Sequence, residues 1–197
     1  NRELYSSFKL AAEKLILNYS KKKKKNYFIM RLFNTYGNVQ DKFSFIENII
    51  ESKKKNKSIN LINNGNSIRD FIHVRDIAKI YKEFLDKKLA NGIYDLGTGN
   101  GYLIRDIIDF VNFSRSKINK INNINEIHNS IAQNKELIKV LKNYQFLNLG
   151  KYLKKKLNIK NKTIKPILNY SSETRKSIIN GVIIYGIGYA GKQIYHE

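Results

Sequence analysis

The 197-residue sequence contains no cysteine and no tryptophan, a single proline (Pro166) and a single methionine (Met30). Without cysteine, neither a disulfide framework nor a thiolate metal site can form. The three histidines, His73, His128 and His196, lie far apart in the sequence and show no ligand spacing. No apolar run approaches the roughly 20 residues that span a bilayer, and no secretory signal opens the chain. These absences lead to the expectation of a cytoplasmic protein that holds no metal.

Acidic residues are scarce as well. Sixteen Asp and Glu face 37 Lys and Arg, a formal net charge of +21. Charge of that size suits nucleic acid or an anionic membrane surface, and a basic nucleic-acid binder is one alternative reading. The excess, however, is mostly lysine, spread along the chain beside abundant asparagine and isoleucine. These three residues share A/T-rich codons, whereas proline is G/C-rich, so a biased genome places this composition on almost any fold. The lysine run at 21–25 has no interleaved aromatics and follows a helical stretch, so it reads as a solvated helix end or loop. No nucleic-acid partner is expected.

What is present is a core-forming chain with 42% hydrophobic residues, enough for one domain and a piece of another. Residues 4–17 have helical spacing without Gly or Pro. "YFIMRLF" at 27–33 is a dense apolar run of strand length, and "NTYGN" after it reads as a turn. Phe43, Ile46, Ile49 and Ile50 form one helical stripe. "INLI" at 59–62 is a short strand, and "NNGN" is a turn. A second stripe follows Val74: Ile77, Ala78, Tyr81, Phe84 and Leu85. "GIYDLGTGNG" at 92–101 is a strand with a glycine loop, and 102–111 is helical. Strands thus alternate with helices, the pattern of an α/β domain with parallel strands. Residues 113–134 show no clear element, 135–159 read as two short helices, and 160–180 as a linker.

Tyr5 and Lys9 stand four apart on the first helix and so face the same way. Free tyrosine titrates near pH 10, about three units above neutrality. A neighbouring ammonium favours the phenolate, and abstracting a hydroxyl proton needs such a base within hydrogen-bond reach. The pair alone is also consistent with an ordinary surface contact.

The ordered blocks "YSSFKLAAEKL", "RLFNTYG", "NNGNSIRDFIHVRDIA" and "GIYDLGTGNG" resemble the extended short-chain dehydrogenase/reductase family, the NAD-dependent nucleotide-sugar epimerases and dehydratases. The resemblance covers residues 4–111. It implies the C-terminal half of a Rossmann-type parallel sheet with a small substrate-binding subdomain, NAD (or NADP) as cofactor, a nucleotide-diphosphate sugar as substrate, and a homodimer. By the same resemblance Tyr5 is the catalytic tyrosine, and Lys9 binds the nicotinamide ribose and tunes that tyrosine. Asn34 lies against the nucleotide-sugar, although its residue type also suits a turn after a strand. Arg69 binds the substrate diphosphate, for which a planar fork of donors is well shaped. Asp70, His73 and Arg31 read as structural: a strand-end acid, a buried satisfied imidazole and a salt-bridge residue. Gly97 and Gly99 give a tight turn. UDP-hexose 4-epimerase is the first choice of reaction, with a nucleotide-sugar dehydratase or decarboxylase behind it.

The family's glycine-rich fingerprint does not precede Tyr5, and "NEIHNSIAQNKEL" occupies the place of the family's usual basic block. Gly186, Gly188 and Gly191 instead form G-x-G-x-x-G after "VIIY", in the strand–turn–helix context of a dinucleotide fold. A lone glycine-rich turn without a ligand is the plainer alternative. The expected organisation is therefore 1–159 as the C-terminal part of an epimerase/dehydratase domain, 160–180 as linker, and 181–197 as the cofactor-binding start of a second Rossmann-like domain. On that reading the chain is an internal piece of a longer polypeptide, inactive by itself. A non-catalytic fragment or scaffold without the cofactor-binding half is the other alternative.

Overall fold

The computed structural model describes residues 2–37, 43–87 and 91–169. The chain opens with helix α1 (Arg2–Lys23), then strands β1 (Phe28–Leu32) and β2 (Asn34–Tyr36). Helix α2 (Phe45–Lys54), strand β3 (Ile59–Ile62) and a 3-10 turn at Asn63–Gly65 follow. Next come β4 (Ile68–His73), α3 (Val74–Asp86), β5 (Gly92–Leu96), β6 (Asn100–Leu103) and α4 (Ile104–Phe110). The described part closes with β7 (Ile118–Ile121), β8 (Asn129–Ser130), α5 (Lys135–Leu141), α6 (Leu149–Leu157) and β9 (Leu168–Asn169).

The α/β class is as expected. β1 and β5 pair in parallel, as do β2 with β4, β8 with β4, and β3 with β7. β6 runs antiparallel to β4, and β9 antiparallel to β6. Among the described residues no helix is long and apolar enough to cross a membrane. The lysines at 21–23 occupy the last turn of α1, where cations face the negative end of the helix dipole.

Several local expectations are corrected. Asn34–Tyr36 is a strand, not a turn, because pairing with β4 overrides the turn preference of Asn. Helix α4 starts at Ile104, since Tyr102 and Leu103 are drawn into β6 beside β4. Phe43 lies before α2 and is 94% exposed. On α3 the buried side runs through Asp76, Ile80 and Phe84, which leaves Ala78 and Leu85 on the solvent side. The stretch read as a linker begins inside the fold. Ile164 packs against the core, Ile167 N donates to the Gly101 carbonyl at 2.8 Å, and β9 joins β6. Its end, and residues 181–197 with Gly186, Gly188 and Gly191, lie outside the described residues.

Strand periodicity makes β4 a wall between two cores. Phe71 belongs to the cluster with Ile46, Ile49, Leu61, Ile107 and Leu153. Its neighbour Ile72 belongs to the cluster with Ile80, Phe84, Leu96 and Leu137. Successive side chains point to opposite faces, so two adjacent apolar residues serve two cores. His73 ends the strand as the N-cap of α3, its Nδ1 accepting from Arg75 N at 3.0 Å. The imidazole is buried and satisfied, as read, and burial lowers its pKa.

Asp70, fully buried, ties β4 to two other segments. Its Oδ1 accepts from Thr98 N at 3.0 Å and from Thr98 Oγ1 at 2.6 Å. Its Oδ2 accepts from Gly99 N at 2.8 Å and Ala132 N at 3.2 Å. The glycines of this loop are required by space and conformation. A Cβ at Gly97 would sit 2.5 Å from that of Ala132, and Gly99 has φ +75°. A charged anchor fastens helix α1 to β1: Arg31 forks onto Glu13, Nε to Oε1 at 3.1 Å and Nη2 to Oε2 at 3.0 Å. Arg31 is thus structural, as read.

Two outcomes are expected. Arg31→Met removes the guanidinium fork from the buried Glu13 carboxylate and should destabilise the fold by about 1–3 kcal/mol. Hydrogen exchange should then rise first in α1, and unchanged protection of α1 would refute the anchor.

The second concerns pH. Burial pushes the Asp70 carboxyl up to about 6, against hydrogen bonds from Thr98, Gly99 and Ala132 that pull it down. The native value therefore lies above the unfolded one of about 3.9, and the native state holds the proton more firmly. This group's contribution is full below about pH 4 and is lost as pH rises through about 6, a span of roughly 3 kcal/mol. Urea unfolding should show the stability difference between wild type and Asp70→Asn shrinking over that range. A difference that grows with pH would mean that the four donors outweigh burial.

Candidate active site

The residues expected at the site fall into two pairs. Asn34 and Arg69 share the β2–β4 wall. Asn34 stands opposite Phe71 in register, and its Nδ2 donates to the Asp70 carbonyl at 2.9 Å. It is a strand residue bonded to its neighbour, so the turn-former alternative does not hold.

Arg69 stands opposite Tyr102 of β6 and Ser130 of β8. Its Nη1 donates to the carbonyls of Ile68 at 2.9 Å and His128 at 3.3 Å. Its Nη2 is ion-paired with Glu126, the two side chains being 13% and 7% exposed. The guanidinium expected to face a diphosphate is thus held by the segment that leads into β8. No role was expected of Glu126, which lies in the stretch "NEIHNSIAQNKEL". The available signal was its isolation: it is the sole acid between Asp109 and Glu136, in a stretch of Asn, Ile and Lys.

Tyr5 and Lys9 lie together on α1. The Lys9 ammonium sits 5.4 Å from the Tyr5 ring centroid, inside cation–π range. At about 100° per residue, the buried Glu13 and Ser20 mark the docked side of α1. Leu4, Phe8, Leu15 and Tyr19, each more than half exposed, form a stripe on the far side. Tyr5 and Lys9 occupy the flank between them, with Tyr5 36% exposed. The pair is presented outward from the helix.

Three buried or half-buried tyrosines are unsuited to proton transfer near neutrality. Tyr36 Oη donates to the Leu147 carbonyl, Tyr144 Oη to Asp76 and Tyr152 Oη to Glu47, at 2.9, 2.9 and 2.7 Å. Burial and the nearby acids push all three phenols far up. Glu47 also accepts from Gly37 N, and Asp76 from Leu147 N. Both acids therefore brace loops, a role the helical stripe patterns do not announce. Among the described residues no cluster of His, Asp or Glu suits a metal ion.

Residues 1–97 match the model of the NAD dependent epimerase/dehydratase family. A Methanocaldococcus jannaschii protein, provisionally named a UDP-glucose 4-epimerase, is 32% identical over 110 residues, 54% of this chain and 35% of its own length. The CDP-abequose synthase of Salmonella typhimurium is 32% identical over 85 residues, 42% of this chain and 28% of its own. The fold matches dTDP-glucose 4,6-dehydratase from Bacillus anthracis at TM-score 0.67 and 20% identity, over 78% of this chain and 50% of that one. It matches MoeE5, solved with UDP-glucose and NAD, at TM-score 0.69 and 20% identity, over 78% and 54%. The chain thus spans about half the length of these structures and aligns with about a third of the first relative. Residues 1–97 of this chain thus carry the sequence pattern of the NAD dependent epimerase/dehydratase family.

Proposed function

We propose that the protein is an NAD-dependent nucleotide-sugar epimerase or dehydratase, with UDP-hexose 4-epimerisation as the first choice of reaction. The observation that carries this reading is the Tyr5–Lys9 pair, adjacent on one outward flank of α1 and inside the matched segment. The pair fits a nicotinamide cofactor: a phenol and an ammonium on one face, open to a neighbour.

NAD, when bound, supplies reversible acceptance of hydride from the sugar carbon. The Tyr5 oxygen, as phenolate, would take the proton of the hydroxyl on that carbon and return it in the reverse step. Lys9 holds positive charge beside the phenol, which favours the phenolate that accepts this proton. Arg69 faces the diphosphate, and Asn34, on the same β2–β4 wall, lies against the nucleotide-sugar. The apolar stripe of α1 supports the homodimer that the family resemblance implies, since large contiguous apolar surface marks an association site. The matched family includes dehydratases as well as epimerases, so a dehydratase is the second reading.

In protein expressed from the complete reading frame, Tyr5→Phe should lower turnover of UDP-glucose to UDP-galactose by about 100- to 10,000-fold. Nucleotide-sugar binding should stay near wild type. Full turnover by the variant would overturn the catalytic assignment. Loss of water from the sugar, in place of epimerisation, would select the dehydratase. A purified protein that retains no NAD would favour the scaffold reading.

A further inference from the structure

We propose that Glu126 is a positioning residue: it fixes the orientation in which Arg69 meets a nucleoside diphosphate. The proposal rests on the reading of Arg69 as the diphosphate clamp.

An arginine side chain carries about 2 kcal/mol of rotamer entropy. A free fork would lose that freedom on meeting its ligand, which weakens binding. Here the freedom is removed beforehand from both sides of the guanidinium. Two carbonyls, those of Ile68 and His128, take Nη1, and the Glu126 carboxylate takes Nη2. Carbonyls accept a hydrogen bond but carry no net charge. The carboxylate adds a charge-assisted bond of roughly twice the strength.

The carboxylate is itself held in place. Ser67 and Arg69 are two residues apart, so their side chains leave the backbone on the same face, and both reach Glu126 Oε1; the Ser67 Oγ bond is 3.1 Å. The segment carrying Glu126 is fastened at both ends. Asn63 Nδ2 donates to the Asn123 carbonyl at 2.7 Å, and Asn123 N donates back to Asn63 Oδ1 at 2.8 Å. At the other end Ile68 N donates to the His128 carbonyl at 2.7 Å, and β8 pairs with β4. A buried acid on a doubly fastened strap, shared by Arg69 of β4 and by Ser67 just before that strand, is a fixed support for the fork.

The test uses the full chain, nitrogen NMR of the Arg69 guanidinium, and calorimetric titration with UDP. In wild type and Glu126→Gln, which keeps an acceptor oxygen, the two Nη signals of Arg69 should stay separate because rotation is hindered. In Glu126→Ala they should merge, and UDP affinity should fall about tenfold, or roughly 1.4 kcal/mol, while Glu126→Gln stays close to wild type. Ser67→Ala, which removes only the hydroxyl that steadies the carboxylate, should move both readouts the same way by less. It keeps the test open if Glu126→Ala does not fold. Arg69→Gln should lose UDP affinity. Separate Nη signals in Glu126→Ala, or wild-type affinity there while Arg69→Gln has lost it, overturn the positioning role and leave the clamp standing. Affinity unchanged in Arg69→Gln, or a wild type that binds no UDP, overturns the clamp and the positioning role with it.

Discussion

The carboxylate of Asp70 is where the strands of this protein meet. It is the point at which β4, the loop after β5 and the segment after β8 are joined, through four hydrogen bonds to a side chain without solvent exposure. Each bonded group would otherwise be an unsatisfied buried donor, and each such loss costs about 1–3 kcal/mol. The neighbouring residues inherit their places from it. Its carbonyl takes the Asn34 amide; Arg69 precedes it and Phe71 follows, on the opposite face of the strand. The same strand therefore supplies the lock, the wall between two cores and the guanidinium of the candidate site.

Charge does further positioning at a second scale. Arg31 and Glu13 fasten α1 to β1, and Asp95 lies on the adjacent strand opposite Arg31 in register. Burial raises the Asp95 pKa, while Arg31 lowers it and Glu13 raises it again. The docked face of α1 is thus partly ionic, which fixes the rotation of the helix about its axis more firmly than apolar contact would. That rotation decides which flank Tyr5 and Lys9 occupy. In this molecule the ordinary helix pair Y-x-x-x-K acquires its direction from an ion pair on the other side of the same helix.

The α/β order was visible in the sequence because apolar periodicity alternates between strand and helix over 27–111, and the four family blocks carry residue identities in order. What stayed hidden was decided by tertiary pairing. Asn34–Tyr36 has turn composition and becomes a strand beside β4. Tyr102 and Leu103 carry a helical pattern but pair with β4. Residues 113–134 lack period because β7 and β8 are short strands whose pairing comes from distant partners. The structural reading of Asp70, His73 and Arg31 was accessible from family position and chemistry. Glu126, Glu47 and Asp76 were not, because each acts on a group 10 to 105 residues away in the chain, and sequence spacing carries no record of such contacts.

The strap that joins β4 late in the sequence has a consequence for synthesis on the ribosome. Asp70 and its partner Ala132 are 62 residues apart. At about 5–20 residues per second, roughly 3–12 s pass between their translation. Through that interval β4 has β2 to pair with, but its carboxylate lacks part of its donor set and one core lacks Leu137. The nascent chain must therefore wait with a half-built wall, and any codon-dependent pause before residue 132 prolongs that wait.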